Sequence, residues 1–532
     1  MKLAMKNLKY ILLLAVVAIS ASCVRDMDKV VLSDTAFTPD KAWAEEATYT
    51  SFLAKIYAGF SLTGNQGPNG LDDISNGDAG ETAWMRSWFT LNEFCTDEMR
   101  VLWDNDALND LQSFSWSSDN NWFRLNYDRV FLNIAYCNEY LRETTIEKMD
   151  SRGMSQTLID MVQIYREEVK LIRAMNYFFL IDFYGNVPVI EEADGVGTDA
   201  PAQKSRAEVF AWTEAQIKAV IAADKLPAKG MYGRVNKYVA AMLLAKMYLN
   251  AEVYTGQARY GECVEQLNTV LSGGYNLERE YKNLFVADNH TSPEIIFPLV
   301  YDGVKSTGYG GVTFLIGLEA SLKVPGLPIS KIYGVDGAAG AWSGARAPKE
   351  LFNLFASNDA RGKLFYKEGM TDEITDLHTG YTQGRLVTKF VNRTRTGGVG
   401  QSNIFPDTDF PLFRLADAYL MYAEAVLRGG GGDMTAALGY INELRDRAGA
   451  DNVSQADLTL DFIITERARE LYWEGWRRTD LIRFNKFTDN YNWCWKGGTQ
   501  TGIMKLDSKY NIFPLPVAEL SVNTKLKQNQ GY

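Results

Sequence analysis

Apolar residues recur at three- and four-residue spacing along most of this chain, a period that predicts helices. In 40–60 the recurring positions are Trp43, Ala47, Thr50, Ala54 and Tyr57. Helical spacing returns over 127–141 and strongly over 161–183, where Tyr184-Gly185-Asn186-Val187-Pro188 stops it as Gly and Pro should. Further helices are predicted over 205–223, 236–253 and 260–271, then over 415–428 and 435–448. Between them the pattern changes. Residues 61–80 are rich in Gly, Asn and Asp with no period, which predicts a loop. Residues 276–409 mix many glycines, scattered aromatics, short β-like runs at 294–300 and 385–391, and a short helix at 348–355. That stretch reads as an irregular subdomain inserted between helices, where binding residues tend to sit. The fold class predicted is mainly α.

Two helix pairs look alike. In the first, Ala245 and Tyr248 face Cys263, Leu267 and Val270; in the second, Ala423 and Val426 face Leu438, Ile441 and Leu444. Small residues against larger ones allow close antiparallel packing, and the pairs resemble tetratricopeptide-type repeats. Gly429-Gly430-Gly431-Gly432 joins one pair as a turn, with no phosphate-loop Lys-Ser/Thr after it. Residues 465–484 read as one further helix, its apolar face built from Ile464, Ala468, Leu471, Tyr472 and Gly475. Glu466 is expected to meet Arg469, Glu474 to meet Arg477 or Arg478, and Asp480 to meet Arg483. Gly475 costs about 1 kcal/mol in a helix interior, so something should approach the backbone there. Glu466, Glu470 and Glu474 read either as acid–base groups in a cleft or as a half-buried ion network that locks helices together.

Composition narrows the classes. The 532 residues, 46% apolar and 23% charged, suit a large globular protein. Lys2, Lys6 and Lys9 precede a short apolar run, 11–19, and then Ser20-Ala21-Ser22-Cys23, the shape of a leader with a lipobox at Cys23. The run is too short to span a bilayer, and no other segment is long and apolar enough. Loss of the three leader lysines takes the net charge from −11 to −14, which argues against nucleic acid or anionic lipid as main partner. Cys95, Cys137, Cys263 and Cys494 are far apart, and the two histidines, His290 and His378, complete no zinc pattern. Neither a metal nor a cofactor is implied.

The charged stretch carries a longer pattern: Glu466, Arg467, Glu470, Leu471, Glu474, Gly475, Arg477, Asp480, Leu481, Arg483 and Phe484. It resembles the C-terminal signature of the SusD/RagB family of surface glycan-binding lipoproteins, ER-x-x-EL-x-x-EG-x-R-x-x-DL-x-R and an aromatic. Residues 168–188 (EVKLIRAMNYFFLIDFYGNVP), 413–425 (FRLADAYLMYAEA) and the closing Asn529-Gln530-Gly531-Tyr532 resemble other family elements. The resemblance implies a signal peptide over 1–22, a lipidated Cys23 and tether over 23–39, and a SusD-like domain over 40–532. Its helical scaffold would occupy about 40–275 and 410–532, with the loop-rich insertion at about 276–409. Asp26 and Asp28 beside Cys23 resemble the signal that sends such lipoproteins to the outer face of the outer membrane. A SusC-like TonB-dependent transporter is the implied partner, and the implied role is non-catalytic.

Sugar binding asks for exposed flat rings plus planar polar groups for hydroxyls. Trp103-Asp104-Asn105-Asp106 puts a ring beside amide and carboxylate groups, and in the family a Trp after an acidic pair, here Asp97-Glu98, contributes to the glycan platform. Trp103 and Asn105 are therefore candidate ligand residues. Trp84, Arg86 and Trp88 in the preceding aromatic-dense stretch, read as a variable loop, Tyr309 among glycines, and Trp342 in Gly340-Ala341-Trp342-Ser343-Gly344-Ala345-Arg346 complete the set. Two other classes stay open. A helical glycoside hydrolase would use paired carboxylates, which 66 Asp and Glu supply without distinction; there is no Gly-x-Ser-x-Gly or His-Glu-x-x-His motif. A helical-repeat adaptor for protein would leave the aromatic loops unexplained. The cargo could also be a non-glycan, peptide-like nutrient.

Overall fold

The computed structural model describes residues 39–532 except 76, 79, 196, 198 and 199. The signal peptide, Cys23 and most of the tether lie outside the described residues. Two compact units meet at Thr50/Ser51, the second being Ser51–Tyr532. In the first, Trp43 and Tyr49 stack edge to face at 5.3 Å, and the Tyr49 hydroxyl donates to the Trp43 carbonyl at 3.0 Å.

The principal helices of the second unit are α1 (Trp84–Glu93), α2 (Asp106–Ser113), α3 (Asn121–Glu143), α4 (Gln156–Phe183), α5 (Arg206–Ala223), α6 (Lys237–Leu249) and α7 (Tyr260–Leu271). They are followed by α8 (Gly311–Glu319), α9 (Leu415–Leu427), α10 (Met434–Ala448), α11 (Leu460–Leu471) and α12 (Arg477–Arg483). Sheet is sparse among the described residues: four two-stranded antiparallel pairs. The pairs that matter below are β1 (Arg100–Val101) with β3 (Ala345–Arg346), and β2 (Ile295–Leu299) with β4 (Phe410–Arg414). The fold is mainly α, as the periodicity predicts.

Helix starts follow capping chemistry. Ser205 and Glu208 form a capping box before α5, and Asn236 accepts from two backbone N–H groups at the start of α6. Every residue of α4 from Leu171 to Phe183 is buried, so this part of the helix is enclosed on all sides, its few polar groups included. In the α6–α7 pair the Cys263 thiol reaches the Ala245 carbonyl at 3.3 Å, the close approach that the small residue permits. Cys95, Cys137, Cys263 and Cys494 are free thiols, the first three buried. The β-run expected at 385–391 shrinks to Leu386–Val387, and the helix at 348–355 to Lys349–Phe352.

The single helix expected over 465–484 is two. The helix α11 ends at Leu471, Trp473 and Gly475 take positive φ of 61° and 76°, and α12 starts at Arg477. A Cβ on Gly475 would stand 2.2 Å from the Trp88 ring, so the backbone is approached as expected, but at a sharp corner instead of within a helix. Glu466 meets Arg469 at 2.6 Å and Asp480 meets Arg483 at 2.7 Å, while Glu474 turns away from Arg477 and Arg478. It pairs with Arg414 at 2.6 Å and Lys389 at 2.7 Å.

The carboxylates of this network are fully buried, while Arg445 and Arg469 at its edge are part-exposed. Glu470 accepts from Arg414 at 2.7 Å, from Arg361 at 3.0 Å and from Arg447. Glu294 takes the second side of Arg414 and Arg447 at 2.9 and 2.8 Å, and Glu466 meets Arg361 and Arg445 at 2.8 Å each. Burial alone would raise the Glu470 carboxyl; Arg447, Arg414 and Arg361 outweigh it and hold the group well below the carboxylate range. That stabilisation is complete above the unfolded value near pH 4.5 and is lost as pH falls towards the folded one. A second cluster joins Asp417, Arg467, Asp480, Arg483 and Glu424. Removing one partner of such a set leaves a buried charge uncompensated, at about 3–5 kcal/mol. Arg414→Met should therefore lower the unfolding free energy by that amount, read as a lower midpoint in guanidinium titrations. An unchanged midpoint would contradict the network's role.

Candidate functional site

The candidate site grows from the buried signature outwards. Asp97 accepts from Arg477 Nε and Nη2 at 2.7 Å each, a bidentate pair that crosses most of the chain's length. Glu98 accepts from the Trp473 backbone N–H at 2.8 Å, and Glu93, at the end of α1, accepts from that of Gly475 at 2.7 Å. The chain then enters β1, which pairs Arg100 with Arg346 and Val101 with Ala345. Leu102 N–H donates to the Gly344 carbonyl at 2.7 Å, and Trp103 follows, half-buried, ahead of α2.

Trp342 and Tyr309 reach the same place from either side of α8. Tyr309 lies just before this buried helix, and Trp342 folds back on it, its N–H donating to the Gly317 carbonyl at 2.8 Å. A Cβ on Gly317 would come within 2.6 Å of the Trp342 ring, and one on Gly344 within 2.5 Å of the Trp103 ring. Trp103 Nε1 donates to the Trp342 carbonyl at 3.1 Å, and Trp342 Nε1 to that of Ala339 at 3.1 Å. Phe314, buried on α8, is the hub. Trp103 and Trp342 each sit 6.4 Å from it by ring centroids, and Tyr309 is 6.3 Å from Trp342 and 5.4 Å from Phe405. The result is an arc of three half-exposed rings drawn from three segments.

Arg86 lies beneath. Its guanidinium sits 4.7 Å from the Phe314 centroid and 5.9 Å from those of Trp342 and Trp122, with Glu81 at 3.6 Å. Burial lowers this guanidinium to about 10, against the raising effect of Glu81 and Asp78, so it is charged at neutral pH. Its Nε has no hydrogen-bond partner among the described residues. Asn105 is exposed and caps α2, its side-chain oxygen accepting from Leu108 N–H at 3.2 Å. His378 stands at the rim, Nδ1 at 3.4 Å from the Leu102 carbonyl and Nε2 at 3.9 Å from Asp104.

Trp84 and Trp88 do not join the arc. Each is 1% exposed, they stack on one another at 5.1 Å, and Phe60, Phe179, Phe410 and Trp476 enclose them. Their four-residue spacing puts both on the inner face of α1, so they are core. Trp116 and Trp122 are also buried. Phe314, Phe405 and His378 are the neighbours that sequence reasoning missed. Glu466, Glu470 and Glu474 are enclosed by cations and open to no cleft, which removes the acid–base reading. Among the described residues no group of three or more His, Cys, Asp or Glu is arranged to hold a metal, and no helix is long and apolar enough to cross a membrane.

The SusD family model matches residues 357–532. Starch-binding protein SusD of Bacteroides thetaiotaomicron is 32% identical over 583 aligned residues, which cover 99% of each chain. SusD-like protein P38 of Formosa agariphila is 25% identical over 398 residues, 69% of this chain and 74% of its own. Among solved structures, surface glycan-binding protein A from Bacteroides uniformis aligns with a TM-score of 0.70 at 21% identity, covering 91% of this chain and 99% of that one. Surface glycan-binding protein A from Bacteroides thetaiotaomicron in complex with laminarihexaose aligns with a TM-score of 0.68 at 20% identity, again over 91% and 99%. These two structures share the fold.

The strand that leads to the arc has a pH signature. Burial pushes the Glu98 carboxyl up to about 8, with Arg477 opposing and Asp97 adding to the rise. A carboxyl that keeps its proton when folded but loses it near 4.5 when unfolded makes stability fall as pH rises across that window. Denaturation midpoints between pH 5 and 8 should therefore decline, and Glu98→Gln, which keeps an acceptor for Trp473 N–H, should flatten the slope.

Proposed function

The chain belongs to the SusD family, and from that premise we propose that it is a non-catalytic, cell-surface glycan-binding protein whose ligand platform is the arc of Trp103, Tyr309 and Trp342. The observation that carries this reading is the convergence of three half-exposed rings, Trp103 and Trp342 on Phe314 and Tyr309 on Trp342. Flat rings cover the apolar C–H face of a pyranose, and a curved row of them takes several consecutive sugars. Arg86 polarises the ring cluster from below, and Asn105 offers its amide N–H at the edge. The name of the starch-binding relative makes α-glucan oligosaccharides the first ligands to test.

The resemblances set out above support a fuller role. The protein would be anchored by a lipid on Cys23 at the outer face of the outer membrane. It would hand captured oligosaccharide to a SusC-like TonB-dependent transporter. Stacking in a shallow, wet site gives modest affinity, which suits handover.

The test is calorimetric titration of residues 24–532 with maltoheptaose, joined to product analysis of the same mixture. Binding without cleavage is expected. Trp103→Ala should weaken it by about 2 kcal/mol, roughly thirtyfold in Kd, while the melting transition stays cooperative. Full-strength binding by the folded variant would remove Trp103 from the platform, and sugar cleavage would overturn the non-catalytic role.

A further inference from the structure

We propose that a cleft walled by Tyr260, Arg428 and Phe484 is a second saccharide site, built apart from the aromatic arc. It encloses about 530 Å³, inside the range of roughly 300–1,000 Å³ that small-ligand sites occupy. Its walls are the ends of four helices: Tyr260 opens α7, Arg428 follows α9, Asp461 lies in the first turn of α11, and Phe484 follows α12. None of these residues belongs to the arc.

The polar groups in the cleft are held in place. Arg428 Nε donates to Glu424 at 2.8 Å, and its guanidinium lies 5.6 Å from the Tyr260 ring centroid and 4.6 Å from that of Phe484. Arg483 binds both oxygens of the same carboxylate, at 2.7 and 2.8 Å. Glu424 thus anchors two guanidinia through Nε and bidentate bonds, and Arg428 lines the cleft beside both rings. On the opposite wall the Tyr260 hydroxyl donates to Glu252. Lys486 reaches Asp461 at 3.1 Å, and Asn485 holds an exposed amide on a residue with φ of 54°.

Donors and acceptors therefore alternate around two half-buried rings. An anionic ligand would meet Glu252 and Asp461, and the lining cations are already paired with carboxylates. An apolar ligand would strip water from all these groups and replace none of their bonds. A neutral polyhydroxylated ligand satisfies both kinds of group, with its C–H face against the rings. The chemistry is that of a short neutral saccharide. The proposal rests on the glycan-binding reading above only for the choice of ligand class.

The experiment uses residues 24–532 and maltoheptaose, with calorimetry and saturation-transfer NMR as readouts. Wild-type protein should titrate with two sites, and a Trp103→Ala/Trp342→Ala variant should retain one. In that background Arg428→Ala should weaken the remaining binding by about tenfold or more. Asn485→Gly, which suits the left-handed backbone and leaves the ion pairs intact, should weaken it by about threefold and so exclude misfolding as the cause. One wild-type site that the arc variant abolishes would overturn the second site and leave the platform standing. Residual binding indifferent to both cleft variants would overturn it as well. Absence of any wild-type binding would overturn both.

Discussion

A carboxylate removed from water must find its cations, and Glu470 finds three, from chain segments far apart. Arg361 comes from the loop-rich region, Arg414 from the end of β4, and Arg447 from the last turn of α10. None of the three can leave without exposing a buried charge to an apolar surround. The network therefore acts as a register device. It adds little over well-packed hydrocarbon, but it permits one arrangement of the segments and penalises every other. Glu294, Glu466 and Glu474 extend the same requirement to neighbouring segments.

The aromatic arc proposed as the platform inherits its position from that requirement. Arg477, at the corner where the signature turns, clamps Asp97; Glu98 and Glu93 hold the backbone of Trp473 and Gly475. The strand beyond carries Trp103 to β3, and β3 follows directly on Trp342 and Gly344. Rings that are fixed before a ligand arrives lose little freedom on binding, which is how a shallow surface gains affinity from few contacts.

Much of this was legible in the chain itself, and the exceptions have physical causes. Helices such as α7 were readable to the residue because their apolar spacing runs unbroken from end to end. The corner at 472–476 was not: Tyr472 and Gly475 continue the apolar spacing of α11, so period alone runs straight through it. The sign was Gly475, whose cost in a helix called for an explanation that Trp88 supplies. Trp103, Tyr309 and Trp342 could be chosen as separate candidates, but their meeting beside α8 depends on how that helix packs, which no local pattern encodes. Trp84 and Trp88 were misread because an aromatic-dense segment looked like a variable loop. Their spacing of four residues was the evidence of a buried helix face.

Two rings of the arc lean on backbone: Trp342 on Gly317, and Trp103 on Gly344 and on the carbonyl of Trp342. No ring takes part in the ion pairs that set the frame. A lineage could therefore exchange Trp, Tyr or a smaller residue at these places and acquire a new diet, while the inherited charged skeleton passes down unaltered. On the proposed platform, specificity and architecture are separately heritable, because one would be written in side chains resting on main chain and the other in charges that cannot be changed singly.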